Sequence, residues 1–391
     1  MRIIGVVTVG RSDYGIYVPL LHQIQADPEL RLHLIVAGMH LSPEFGMTVQ
    51  QIRADGFRID EQIEMSLSSD TPEGVAKTIG LGMIGFSQAF ARSRPDILIV
   101  LGDRFEMHAA ALAALPFKIP VAHIHGGEIT QGAIDDALRH SMTKLSHLHF
   151  VSTQEYARRV IQLGEEPWRV TVSGAPGLDN LRHIQLLTRE ELFAQFGIPY
   201  DEINFLVVTY HPVTLEYEHA EWQTAELLAA LKIVNLPVVF SQPNADTGGR
   251  VIARMLADFV DAHSNAYMIH NLGTQGYFSM MAHAAAMVGN SSSGIIEAAS
   301  FELPVVNLGT RQAGRVRGAN VIDVEYPREA VLDGIRLALS PQFRADLRGM
   351  KNPYREGEAA QIIIAALKKA QFDEKLIVKQ FYDFGGDPDI R

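Results

Sequence analysis

Histidines and carboxylates crowd a few short segments of this chain, each placed just past an apolar run. Gly102-Asp103-Arg104-Phe105-Glu106 follows Ile97–Leu101, and His123-Ile124-His125-Gly126-Gly127-Glu128 follows Val121. Ile134-Asp135-Asp136-Ala137-Leu138-Arg139-His140 reads as a helix start, with Asp135 and Arg139 on one face and Asp136 and His140 on another. The acidic pair either stabilises the helix dipole or is held by Arg139 toward a cleft. Mixed imidazoles and carboxylates suit proton transfer, because neighbours tune them toward neutral pH. His123, His125, Glu128 and Asp103 could also be drawn as metal ligands, but no further ligand stands at diagnostic spacing, so no metal is expected.

A second group of residues suits an anion. Gly289-Asn290-Ser291-Ser292-Ser293-Gly294 runs into Ile295-Ile296-Glu297. Small residues let backbone N–H groups approach a phosphate, and a helix start favours negative charge there. Glu297, about one turn on, could accept from a ribose diol; an ordinary Ser cap with a first-turn Glu is the alternative. Arg311, Arg315 and Arg317 form a basic cluster after a strand, either a solvated face or a diphosphate clamp. No Gly-x-x-x-x-Gly-Lys segment supports a P-loop, and no Gly-x-Gly-x-x-Gly turn follows the first strand.

The elements that must carry these residues alternate. Ile3–Val9, Leu32–Ala37, Ile97–Leu101, Val121–Ile124, Leu148–Val151 and Val170–Val172 read as strands. Unbroken apolar runs of this kind suit a parallel sheet buried on both faces. Helical segments separate most of them, the longest at Thr71–Arg92. After a turn-rich break at Ser173–Gly177 the pattern restarts with Phe205–Thr209, Val238–Phe240, Tyr267–Ile269, Met287–Gly289 and Val305–Leu308. This predicts an α/β protein of two doubly wound, Rossmann-like domains with a cleft between them. The boundaries are 1–176 for the first and 177–371 for the second, with the tail 372–391 packing back on the first.

Composition narrows the function classes. The 391 residues carry 34 Lys+Arg against 45 Asp+Glu, a net charge of −11, so no basic excess is available for nucleic acid. There is no Cys, which excludes thiolate zinc sites, disulfides and Cys nucleophiles. No run has the layout of a signal peptide or a membrane span, and a cytoplasmic location is the default expectation.

Taken in order, these segments resemble the UDP-N-acetylglucosamine 2-epimerase family, in particular its hydrolysing branch. The segments that carry the resemblance are Gly10-Arg11-Ser12-Asp13-Tyr14-Gly15, Gly38-Met39-His40-Leu41, Gly102–Arg104, His123–Glu128, Ile134–His140, His211-Pro212-Val213-Thr214, Asn290-Ser291-Ser292 and Asn307–Arg311. They span nearly the whole chain. The Lys-bearing start of the non-hydrolysing branch is missing.

The resemblance implies a GT-B-like fold, with UDP mainly on the second domain and the sugar facing carboxylates of the first. It implies loss of the sugar C2 proton, departure of UDP from C1, a glycal intermediate and addition of water, giving N-acetylmannosamine and UDP. It implies no nicotinamide or other cofactor, and a homodimer or homotetramer. Asp103, His125, Glu128, Asp135 and His211 are the expected catalytic residues. Arg11, His40, Arg104, Asp136, Arg139, Asn244, Ser291, Ser292, Glu297 and Arg311 are the expected substrate contacts. Many relatives carry Glu where His125 stands, so Asp103 or Asp135 is assigned to C2–H and His125 or Glu128 to water.

Two substrates fit: UDP-N-acetylglucosamine, and its 4-acetamido-6-deoxy analogue UDP-N,N'-diacetylbacillosamine. The segment Ile63–Asp70 looks like the branch acting on the second. A GT-B glycosyltransferase, which needs an acceptor pocket, and a catalytically silent UDP-sugar sensor are the competing classes.

Overall fold

The computed structural model describes residues 1–69, 71–131, 133–199, 204–243, 248–354 and 357–383. Asn244 lies outside them. Two all-parallel sheets form the frame. The first contains β1 (Arg2–Thr8), β2 (Leu30–Ala37), β3 (Glu61–Ile63), β4 (Ile97–Leu101), β5 (Val121–Ile124), β6 (Leu148–Val151) and β7 (Val170–Val172). Its order is β3-β2-β1-β4-β5-β6-β7. The second contains β8 (Leu206–Thr209), β9 (Val238–Ser241), β10 (Ala266–Ile269), β11 (Ala286–Gly289), β12 (Val305–Leu308) and β13 (Val321–Val324), in the order β10-β9-β8-β11-β12-β13.

Both orders reverse direction at one place, between β1 and β4 and between β8 and β11. Loops leaving the carboxyl ends there diverge to opposite faces of the sheet and leave a crevice. The expected strands are all present. β3 and β13 are additional, and both are short strands at a sheet edge.

Burial follows the pattern of a doubly wound fold. Ile4, Val6, Leu34, Ile99 and Val100 are fully buried in the first core. The second sheet has a separate apolar cluster on each face, one with Leu227 and Ile335, the other with Phe193 and Met280. A fourth cluster joins the halves, bringing Val151, Tyr156 and Val160 against Ile295, Ile296 and Tyr354.

The chain returns to the first half earlier than the expected residue 372. Ala360, Ile363 and Leu367 of the helix Ala359–Lys369 already pack in the first core. Amphipathic spacing shows that a helix has a buried face, not which sheet receives it. The tail continues along the same domain. Arg169 donates to the carbonyls of Lys375 and Leu376 at 2.9 Å each, and Lys379 reaches the buried Glu165 at 2.7 Å. Among the described residues, no helix is long and apolar enough to cross a membrane.

Candidate active site

The residue at the end of β5 has an unusual backbone. His125 sits at φ +63°, a left-handed conformation that non-glycine residues rarely adopt. Its amide is tied to the Phe150 carbonyl at 3.0 Å and its own carbonyl accepts from Arg139 at 2.7 Å. The turn that follows needs glycine. Gly127 has φ +76°, and a Cβ there would lie 2.5 Å from the Tyr156 carbonyl oxygen. The turn brings Glu128 back under the imidazole, with His125 Nδ1 and Glu128 Oε1 2.6 Å apart. Gly127→Ala is therefore expected to lower stability by about 2–4 kcal/mol, from backbone strain plus overlap. A urea melt with a fixed slope and a lower midpoint is the expected readout.

Glu128 is only 1% exposed, yet it is surrounded by donors. Ser152 Oγ lies 3.1 Å from Oε1, Arg315 NH1 3.0 Å from Oε2 and Arg139 NH1 3.8 Å from Oε2. Burial by itself would push this carboxyl up. His125, Arg315 and Arg139 overcome that and hold it well below the usual carboxylate range. Glu128 is thus a fixed anion. With Nδ1 engaged by it, His125 has Nε2 left for other chemistry.

Arg139, on the helix Asp135–Leu145, is itself fully buried and also holds Asp103, at the end of β4. The side chain of Asp103 remains 19% exposed, at the crevice between β1 and β4. Asp135 is buried on the same helix turn. Asp136 accepts from the Thr130 amide at 2.7 Å and lies 3.6 Å from His140 Nε2, so it fastens the loop carrying Thr130. Among the described residues, no three His, Asp or Glu side chains are grouped to hold a metal ion. His123 instead bonds the Gly102 carbonyl at 2.8 Å, and burial pushes it down to about 3.

Arg315 comes from the other half. Its Nε donates to the Ile129 carbonyl at 3.0 Å. Next to it a closed hydrogen-bond ring fixes the segment. The Val316 amide donates to Tyr156 Oη at 2.9 Å, Tyr354 Oη donates to the Val316 carbonyl at 2.9 Å, and the two hydroxyls are 2.7 Å apart. The expected basic cluster therefore divides. Arg315 supports Glu128, Arg317 pairs with Asp323 at 2.8 Å, and Arg311 donates to the Asn290 carbonyl at 3.2 Å.

The second half supplies the Ser-rich turn. Gly289 has φ +138°, and a Cβ there would meet the Thr209 carbonyl oxygen at 2.0 Å. Asn290 then clamps His211 through both backbone groups, accepting from its amide at 2.7 Å and donating to its carbonyl at 2.8 Å. Ser291 caps the short helix Ser292–Ile296. Glu297 follows half-buried, and its burial pushes it up to about 8, with the Glu128 charge adding to that. Across the crevice, Arg11 donates to the His270 carbonyl, so it bridges the halves.

Two more of the expected contacts are engaged within the first half. His40 is completely buried, 2.9 Å from Thr8 Oγ1 and 2.7 Å from Thr48 Oγ1, and burial pushes it down to about 4. It braces the first loop. Arg104 forms a two-pronged bond with Glu106, at 3.1 and 3.2 Å. Ser152, Thr130, Asn290 and Asp13 belong to the site framework but were not among the expected contacts. Asp13 is buried and accepts from the Val9 and Gly10 amides at 3.0 and 2.7 Å.

Comparison with known proteins decides the family. The family model for UDP-N-acetylglucosamine 2-epimerase matches residues 22–368. The chain belongs to that family. It is 37% identical to the UDP-N,N'-diacetylbacillosamine 2-epimerase (hydrolyzing) of Legionella pneumophila, covering 95% of this chain and 97% of the relative. It is 40% identical to the GDP/UDP-N,N'-diacetylbacillosamine 2-epimerase (hydrolyzing) of Campylobacter jejuni, covering 83% and 84%. The crystal structure of UDP-GlcNAc 2-epimerase from Neisseria meningitidis bound to UDP-GlcNAc superposes with a TM-score of 0.81 over 95% of this chain and 100% of that one. At 19% identity that likeness shows the shared fold.

Proposed function

We propose that the chain is a hydrolysing 2-epimerase of a UDP-linked 2-acetamido sugar. The observation that carries this is the His125–Glu128 pair, backed by two arginines and standing beside the partly exposed Asp103. Asp103 removes the C2 proton. The C–H electron pair becomes the C1–C2 double bond, and the C1–O bond breaks with its electrons passing to the UDP oxygen. Donors from Arg311 and the Ser291–Ser292 turn, with His211, offset the charge on the leaving diphosphate. Water then adds across the double bond: C2 takes a proton from solvent on the face opposite Asp103, the water oxygen bonds C1 and gives its proton to His125 Nε2, and Asp103 and His125 release the protons they took to solvent. UDP-sugar and water thus become UDP and the free 2-epimer.

Glu128 does not touch substrate in this scheme, being buried and already fully engaged. It orients His125. Both named relatives act on diacetylbacillosamine substrates, so UDP-N,N'-diacetylbacillosamine is the first substrate to test and UDP-N-acetylglucosamine the second. The test is proton NMR of protein with each. Free 2-epimer plus UDP supports the reading; a UDP-linked 2-epimer, or sugar transfer to an acceptor with no free epimer, contradicts it. The same reading includes assembly as at least a dimer.

Glu297 gives a pH signature. An ionised carboxylate accepts from both ribose hydroxyls, whereas the protonated form does not. With a value of about 8 in the free protein, the ionised fraction rises about tenfold from pH 7 to pH 9. UDP affinity, by titration calorimetry, should tighten by about that factor. Glu297→Gln should remove the slope.

A further inference from the structure

Residues 211–214 follow β8 in the second half, and they touch both halves. His211 is clamped by Asn290 through both backbone groups. Thr214 Oγ1 accepts from the Ile134 amide of the first half at 3.0 Å. Ile134 is where the helix Asp135–Leu145 begins, and its own side chain supplies no cap. A helix start leaves amides that its own backbone cannot satisfy. Here a hydroxyl from the opposite half takes an amide at that start. Thr214 has no part in the proposed reaction.

The loop bearing Thr214 is itself braced. The Glu216 amide donates to the Val213 carbonyl at 2.8 Å. The Glu216 carboxylate accepts from Thr310 Oγ1 at 2.7 Å, Gln223 Nε2 at 2.8 Å and Tyr326 Oη at 3.0 Å. Thr310 precedes Arg311 in the chain. Arg311 and His211 are the side chains assigned to the leaving diphosphate. Both ends of the loop are thus tied to that side, and its middle meets a helix of the first half. That helix carries Asp135 in its first turn. One turn on is Arg139, which holds Asp103 and the His125 carbonyl.

We propose that Thr214 is a positioning residue. It fixes the start of the helix bearing Arg139 from the half assigned to UDP, so that Asp103 and His125 reach working geometry with the halves together. The inference rests on the reaction proposed above. Thr214 touches no reacting atom in that scheme and acts through Ile134 and Arg139. Its bond exists only while the halves are in contact, which links alignment of the base to closure of the crevice. Losing the hydroxyl frees the helix start without removing any group that meets substrate. A displacement of about 1 Å at reacting groups costs about 10²-fold in rate. The diphosphate contacts lie on the braced side of the loop, so UDP binding is spared.

The test compares Thr214→Val, which keeps the shape and removes the acceptor, with Thr214→Ser, which keeps the hydroxyl. The substrate is whichever of UDP-N,N'-diacetylbacillosamine and UDP-N-acetylglucosamine wild type turns over. Thr214→Val should lose about 10–100-fold in kcat, with UDP affinity by titration calorimetry within about twofold. Thr214→Ser should stay within about threefold in both. Hydrogen exchange gives a readout apart from turnover. With UDP bound, the amides of residues 134–138 should exchange about tenfold faster in Thr214→Val than in wild type, and Thr214→Ser should match wild type. Near-native kcat in Thr214→Val, equal losses in both variants, or a parallel loss of UDP affinity overturns the positioning role and leaves the reaction standing. Unchanged exchange in Thr214→Val overturns it as well. Turnover of neither substrate by wild type overturns the reaction and the role together.

Discussion

Glu128→Gln should reduce kcat by about 10³–10⁴-fold, as expected when a histidine loses the anion that sets its tautomer. An amide can present N–H rather than oxygen to Nδ1, and then Nε2 carries the proton and cannot accept one from water. Stability should fall as well, by about 3–5 kcal/mol, because Arg315 and Arg139 would face a neutral group in a buried site. The pH dependence separates the two effects. The native Glu128 carboxyl lies below its ordinary value of 4.5, so its contribution is complete above that value. It is lost as pH falls below 4.5 toward the native value. Wild type should therefore lose this part of its stability on acidification, and Glu128→Gln should not. Steady-state kinetics near neutral pH, with chemical melts from pH 7 down to pH 3, are the measurements.

Asp103→Asn is the second large effect. The change preserves shape and removes the proposed base, so kcat should drop by about 10²–10⁴-fold. UDP affinity should stay within about twofold, because Asp103 is assigned to C2 rather than to the diphosphate. Arg139 keeps Glu128 and the His125 carbonyl as partners, which limits the structural cost. Asp135→Asn is the comparison. Near-native turnover in both variants would remove the carboxylate-base assignment.

What the sequence made legible has a physical basis. Doubly buried parallel strands must be apolar throughout, and the chain must turn where they end. Asp103, His125 and His211 could therefore be placed at strand ends from spacing alone. β3 and β13 escaped notice because each is a short edge strand, and β3, Glu-Gln-Ile, has little apolar character. The Arg315–Glu128 pair was hidden for a different reason. It joins opposite halves, and Arg315, Arg317 and Arg311 look alike in sequence although they meet different partners. His40 sat in a matching segment, but only packing could show that it faces Thr8 and Thr48. The same holds for Ser152, which reaches His125 at 2.9 Å and Glu128 at 3.1 Å.

The proposed reaction couples proton abstraction at C2 to release of UDP and capture of water. The most direct measurement is the reaction run in D₂O with UDP-N,N'-diacetylbacillosamine, followed by proton NMR. The expected result is free 2-epimer carrying deuterium at C2, with UDP released in equal amount. Free sugar retaining protium at C2 and the original configuration would contradict it, as would a 2-epimer still linked to UDP.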